Sequence, residues 1–140
     1  MPARTEWYGD RIKADMRDRM ERNMRQALLY LQGETRRLIN RGQPTKRSGR
    51  SVVGLAPSRP GEPPKRLTGR LIQSIAIKVK PSKRVIKGTY GSNLVYARRL
   101  ELGFTGTDAR GRNVRQRPRP YLRRALIDNK ATVARILRQP

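Results

Sequence analysis

Cysteine and histidine are both absent from the 140 residues. Without them there are no disulfides, no thiol redox chemistry and no zinc site of the usual Cys/His kind. The commonest general base is missing too, so proton-transfer chemistry would fall to carboxylates. Those are scarce, with ten Asp and Glu against 34 Lys and Arg. Six of the ten lie in residues 1–41, interleaved with cations. Glu62, Glu101, Asp108 and Asp128 remain, and of these Glu101, flanked by Tyr96, Arg98 and Arg99, reads as one member of a structural ion pair. No G-x-G-x-x-G, phosphate-binding loop, nucleophile elbow or metal-spaced acidic cluster occurs. The sequence reads as a non-enzyme with no cofactor and no metal. Apolar runs near the ~20 residues needed to span a bilayer are also lacking, and no secretory apolar stretch follows Met1, so the expected setting is a cytoplasm-like compartment without membrane contact. Aromatics are few, at 5%.

What is plentiful is positive charge, +24 in net. It is unevenly placed: residues 1–41 carry ten cations against six acids, residues 91–140 twelve against three. Such an excess repels itself in an isolated monomer and favours polyanionic or acidic partners. The length suits one domain. Hydrophobic residues make up 35%, enough for a thin core only.

Three regions follow from the pattern. Residues 1–41 read as one long helix, capped by Thr5, with Tyr8, Ile12, Met16, Met20, Met24, Ala27, Leu28, Leu31 and Leu38 on an apolar face. Charge pairs Asp10–Lys13, Asp15–Arg19, Asp18–Arg22 and Glu21–Arg25 support it at helical spacing. At ~1.5 Å per residue the helix is about 50 Å long, which implies that it protrudes or packs on a neighbour. Residues 42–67 carry five prolines and read as an extended arm, within which SVVGLA offers a short strand or anchor. Residues 68–140 supply a strand through Ile75, Ile77 and Val79, with Leu71–Ser74 readable equally as its start or as a helical turn, and a second strand in RVIKGTYGS. NLVYARRLELGF reads as either a short helix or a strand, with a helical turn over Val95–Glu101 stopped by Gly103 preferred. A flexible basic loop over TGTDARGRNVRQR and a C-terminal helix from Pro120 complete the region. The fold class is α+β: a long N-terminal helix, a small antiparallel β-sheet with basic Pro/Gly-rich loops, and a C-terminal helix packed on the sheet.

Three segments occur in a recognisable order: PSRPGEPPKRLTGRLIQSI at 57–75, VYARRLELGF at 95–104 and RPRPYLRRAL at 117–126. Together they resemble the head–tail joining or tail-completion proteins of tailed bacteriophages, the neck and minor-tail-component family. The matching positions are Pro60, Gly61, Pro63 and Pro64; Thr68, Gly69, Leu71, Ser74 and Ile75; Tyr96, Ala97, Glu101 and Gly103; and Pro120, Tyr121, Leu122, Ala125 and Leu126. Phe104 and Arg124 depart from the family pattern, which often has Thr and Pro there.

The resemblance implies a structural virion protein, assembled in the host cytoplasm. It would form an oligomeric ring in the neck, a hexamer in preference, as matches a tail tube, with a dodecamer as the alternative if it matches a portal. Its partners would be portal or adaptor proteins and tail-terminator or tail-tube proteins. The loop with Pro57, Pro60, Gly61, Pro63, Pro64, Thr68 and Gly69 would dock onto neighbouring subunits or rings. Tyr96 and Tyr121 would pack in the core or an interface. Arg110, Arg112, Arg115, Arg117 and Arg119 form the candidate surface facing genomic DNA in the channel, without base preference. The rival reading is a non-specific nucleic-acid-binding protein acting as monomer or dimer, although stacking aromatics are missing from that basic loop.

Overall fold

The computed structural model describes residues 8–41, 58–65 and 69–140. Thr5, the SVVGLA segment, Pro57 and Thr68 lie outside the described residues. The order is α1 (Gly9–Arg41), α2 (Arg70–Ser74), β1 (Ile75–Pro81), β2 (Ile86–Ser92), α3 (Val95–Leu102), β3 (Phe104–Thr107), β4 (Asn113–Gln116), α4 (Leu122–Asp128) and α5 (Lys130–Leu137). The class is α+β. Two antiparallel sheets of two strands each, β1–β2 and β3–β4, stand where one was expected.

Helix α1 is the spine. Its apolar face is buried only from its middle onward, at Ala27, Leu28, Leu31 and Ile39. Earlier on the same helix Ile12, Met16 and Met20 are each more than half exposed. Of the four expected charge pairs, Asp10–Lys13 (3.8 Å) and Glu21–Arg25 (3.6 Å) form. The first lies in water and contributes little, and the second is partly exposed.

The core gathers Ile39, Leu71, Ile75, Ala97 and Tyr121 from five elements or their flanks. Polar contacts fix how α1 meets the sheet. Gln32 Nε2 donates to the Ile75 carbonyl at 2.5 Å, where β1 begins. The buried Thr35 hydroxyl returns to the Leu31 carbonyl at 2.7 Å, which spares it an unmet hydrogen bond. Leu71–Ser74 is helical, as the short α2, and the strand alternation starts at Ile75. Ser74 Oγ lies 2.6 Å from Ser92 Oγ and so ties α2 to the end of β2. The β1–β2 hairpin turns at Ser82–Val85, where the Ser82 N–H donates to the Val85 carbonyl at 2.9 Å. Its tip reaches α1 through a hydrogen bond from Arg17 to the Ser82 carbonyl.

The C-terminal helix is two helices, broken at Asn129. Its side chain donates to the Ala125 carbonyl at 2.9 Å and accepts from the Tyr30 hydroxyl at 2.8 Å. With the break, α5 can turn to lie along α1. Asn23, buried in α1, donates to the Gln139 carbonyl at 2.8 Å. No helix of the described residues is long and apolar enough to cross a membrane.

Candidate functional site: a junction of three motifs beside a basic hairpin

The three sequence segments that carry the family resemblance meet in space. Glu101, in the last turn of α3, faces the start of α4. Its Oε2 accepts from the N–H groups of Tyr121 (2.9 Å) and Leu122 (3.1 Å), and its Oε1 from Arg123 (2.9 Å). The first N–H groups of a helix have no partner within it, and the dipole there favours a negative charge. The residue in the N-cap position of α4, Tyr121, supplies no side-chain cap. A carboxylate from twenty positions earlier takes that role. The ion pair expected of Glu101 does not form among the described residues; its carboxylate takes this backbone cap instead.

Gly103 makes the approach possible. Its φ of 80° lies in the left-handed region, and a β-carbon there would come within 2.9 Å of the Gln116 carbonyl oxygen and 3.0 Å of Pro118 Cδ. The Arg119 N–H then donates to the Leu100 carbonyl at 2.7 Å.

The Pro-rich segment joins the same place. Arg59 to Glu62 form a turn in which the Glu62 N–H donates to the Arg59 carbonyl at 3.0 Å. Pro60 and Gly61, the latter at φ 84°, take the central positions that a type II turn favours. The Glu62 side chain also accepts from the Arg59 N–H at 2.9 Å. The Gly61 N–H donates to the Pro118 carbonyl at 3.1 Å, and Arg124 reaches the Gly61 carbonyl at 3.5 Å. Ser58 and Pro64 are buried and Pro63 is half-buried. Residues 58–65 of the expected arm therefore lie folded against the body of their own chain, leaving Pro60 and Gly61 exposed at the turn. Gly69, at φ 81°, opens α2.

Tyr121 is fully buried and Tyr96 is 40% exposed, so only the first packs in the core. Burial pushes the Tyr121 phenol up to about 12, and the negative charge of Glu101 adds to the effect. Its hydroxyl has no hydrogen-bond partner among the described residues. Tyr90 is likewise pushed up to about 12 by burial, but its hydroxyl donates to the Leu122 carbonyl at 2.5 Å. Leu122 is half-buried against the core.

The expected flexible basic loop is a hairpin. β3 and β4 pair antiparallel, with Thr105 opposite Arg115 and Thr107 opposite Asn113. Asp108 closes the turn, accepting from the N–H groups of Arg110 and Arg112, both at 2.9 Å. It also holds the Arg112 guanidinium, with an ion-pair distance of 2.7 Å. The backbone and side-chain N–H groups of Arg112 hold the Asp108 carboxyl below its ordinary value.

The five arginines expected to face DNA therefore separate. Arg110, Arg112, Arg115 and Arg117 are exposed, Arg112 in an ion pair with Asp108, and Arg119 is half-buried. On the inner face, Phe104 carries the Arg99 guanidinium 4.2 Å from its ring centre. Among the described residues no group of three or more Asp or Glu is placed to hold a metal ion. Compared with known proteins, the chain matches no family model, no curated protein and no solved structure.

Proposed function

We propose that this chain is a structural subunit of the virion neck of a tailed bacteriophage, without catalytic activity. It assembles as copies in a ring and joins the portal side of the capsid to the tail, with basic side chains toward the DNA channel. The observation that carries this reading is the uncovered apolar stripe Ile12–Met16–Met20 on the first half of α1. In a chain with so thin a core, apolar side chains left in water mark a surface that a neighbour covers. The motif residues support the same reading. Glu101, Gly103, Pro118 and Tyr121 are occupied in fixing backbone, as suits a frame for assembly better than a reactive site.

The rival reading, a non-specific nucleic-acid-binding protein, is favoured by Arg110, Arg115 and Arg117 lying exposed on or beside one hairpin. Binding of the purified chain to a portal or tail assembly and to duplex DNA, each across a salt series, separates the two. Saturable docking to the assembly that persists at high salt is the expected result. Retention on DNA alone, lost steeply as salt rises, would replace the neck reading with the rival.

A further inference from the structure

Between the end of α3 and the exposed side of α4 runs a groove of about 520 Å³, lined by Leu102, Pro118, Pro120 and Ile127, with Arg123 and Arg124 set against Glu101 and Asp128. It shares Leu102 and Pro118 with a second depression of about 330 Å³, bordered by Phe104, Arg115 and Arg117. Two features set this surface apart. Leu102 and Ile127 are 66% and 60% exposed, and with the two prolines they form an apolar floor in water. The excess of positive charge comes from the adjoining depression, where Arg115 and Arg117 add to an Arg123 and Arg124 whose charge Glu101 and Asp128 already balance. Glu101 has both oxygens filled by backbone N–H groups, and Asp128 is paired with Arg124 at 3.7 Å. Arg115, Arg117 and Arg123 have no ion-pair partner among the described residues.

We propose that this groove docks an acidic peptide segment of a partner protein, one bulky apolar side chain of which sits over Leu102 and Ile127. The positive border selects carboxylates, and the floor requires an apolar group between them. A nucleic-acid backbone meets the charge but leaves Leu102 and Ile127 without a partner. The aromatic ring in the second depression, Phe104, is already covered on one face by Arg99. A second copy of this chain offers the groove no run of acidic residues. Its acids on α1, Asp10, Asp15, Asp18, Glu21 and Glu34, are interleaved with or followed by Arg11, Lys13, Arg17, Arg19, Arg22, Arg36 and Arg37. The site stands on the groove's own chemistry, whether or not the chain is a neck subunit.

Fluorescence anisotropy tests it with three labelled probes: an octapeptide alternating Glu or Asp with Leu, Ile or Phe, the same peptide with Ser at the apolar positions, and oligothymidylate. At high salt, where exposed charges are screened, the acidic–apolar peptide is expected to bind about tenfold tighter than its Ser counterpart. Leu102→Ser and Ile127→Ser should each weaken it about fivefold or more, with unchanged thermal midpoints because both side chains are exposed. Arg123→Glu should weaken it as well, and Arg110→Ala should not. Absence of peptide binding, equal binding of the two peptides, or unchanged binding in the two Ser variants overturns the proposal. So does oligothymidylate competing for the groove, which makes it a nucleic-acid surface. Self-association of the protein that Leu102→Ser abolishes overturns it in favour of a second copy.

Discussion

Glu101 caps the helix that Tyr121 opens, accepting the Tyr121 N–H at 2.9 Å across a gap of twenty residues. This one carboxylate satisfies three N–H groups, so removing it leaves all three to find other partners. Glu101→Ala is expected to lower stability by about 1–3 kcal/mol, read as a shift of the urea midpoint at constant slope. Glu101→Gln, which keeps the acceptor oxygen but not the charge, should fall between it and the parent. A midpoint unchanged in both variants would mean that the cap contributes nothing.

The two buried phenols make opposite predictions. Tyr121→Phe removes a hydroxyl with no described partner and should be neutral or stabilising. Tyr90→Phe loses the bond to the Leu122 carbonyl and should cost about 0.5–1.5 kcal/mol. Both phenols titrate near 12 when folded, against 10.0 as the ordinary value. The folded chain therefore holds these protons where the unfolded chain has lost them. Stability should be independent of these groups below about pH 10 and fall as pH rises from there toward 12. Denaturant titrations at successive pH values should show a shallower fall for either Phe variant.

Glycine substitutions separate backbone need from mere tolerance. Gly103→Ala meets both a left-handed φ and backbone atoms, and should destabilise by about 1–3 kcal/mol. Gly33→Ala lies within α1 with nothing within 4 Å of the added carbon, and should stabilise by roughly 0.5–1 kcal/mol. Thermal melts of the two variants read both signs in one experiment.

On the hairpin, neutralising Arg115 or Arg117 should reduce DNA retention, with the salt slope falling by up to about 0.9 for each phosphate no longer neutralised. Arg112→Gln should do less, because Asp108 already holds that guanidinium. Asp108→Asn frees Arg112 and removes a negative charge, and should increase retention. Equal effects from all of these changes would show that only total charge matters.

On α1, Ile12→Ser and Met16→Ser alter side chains that lie mostly in water. Monomer stability should move by no more than about 0.5 kcal/mol, whereas incorporation into neck assemblies should drop sharply. Sedimentation of assembled particles measures the second effect, and normal incorporation would remove the stripe from the interface.

Long-period and alternating patterns made α1, β1 and β2 legible in the sequence, whereas the α3 segment suited a strand as well as a helix. Ile75, Ile77 and Val79 alternate with exposed Ala76, Lys78 and Lys80, and Gly103 stops α3 as its position suggests. The β3–β4 hairpin escaped because its inner face is Phe104, Gly106, Val114 and Gln116, too weakly apolar to register as alternation. Asp108 and Gly111 are turn residues that could have announced it. The break at Asn129 hides in a run that keeps helical composition on both sides. Of the site, Pro60–Gly61 is a local turn signal, whereas the cap by Glu101 depends on tertiary proximity that no spacing rule contains. Likewise, which exposed arginines are unpaired required knowing that Asp108 engages Arg112.

The clasp between α3 and α4 has an architectural consequence. Glu101 with Tyr121, and Leu100 with Arg119, pin both roots of the intervening β3–β4 excursion. Its far end at Arg110 and Gly111 is exposed and bears none of that fastening. Lengthening a loop whose base is already closed adds only about 0.6 kcal/mol per doubling. That tip is accordingly a place where foreign peptide can be grafted, or where related chains can diverge in length, while the frame beneath keeps its shape.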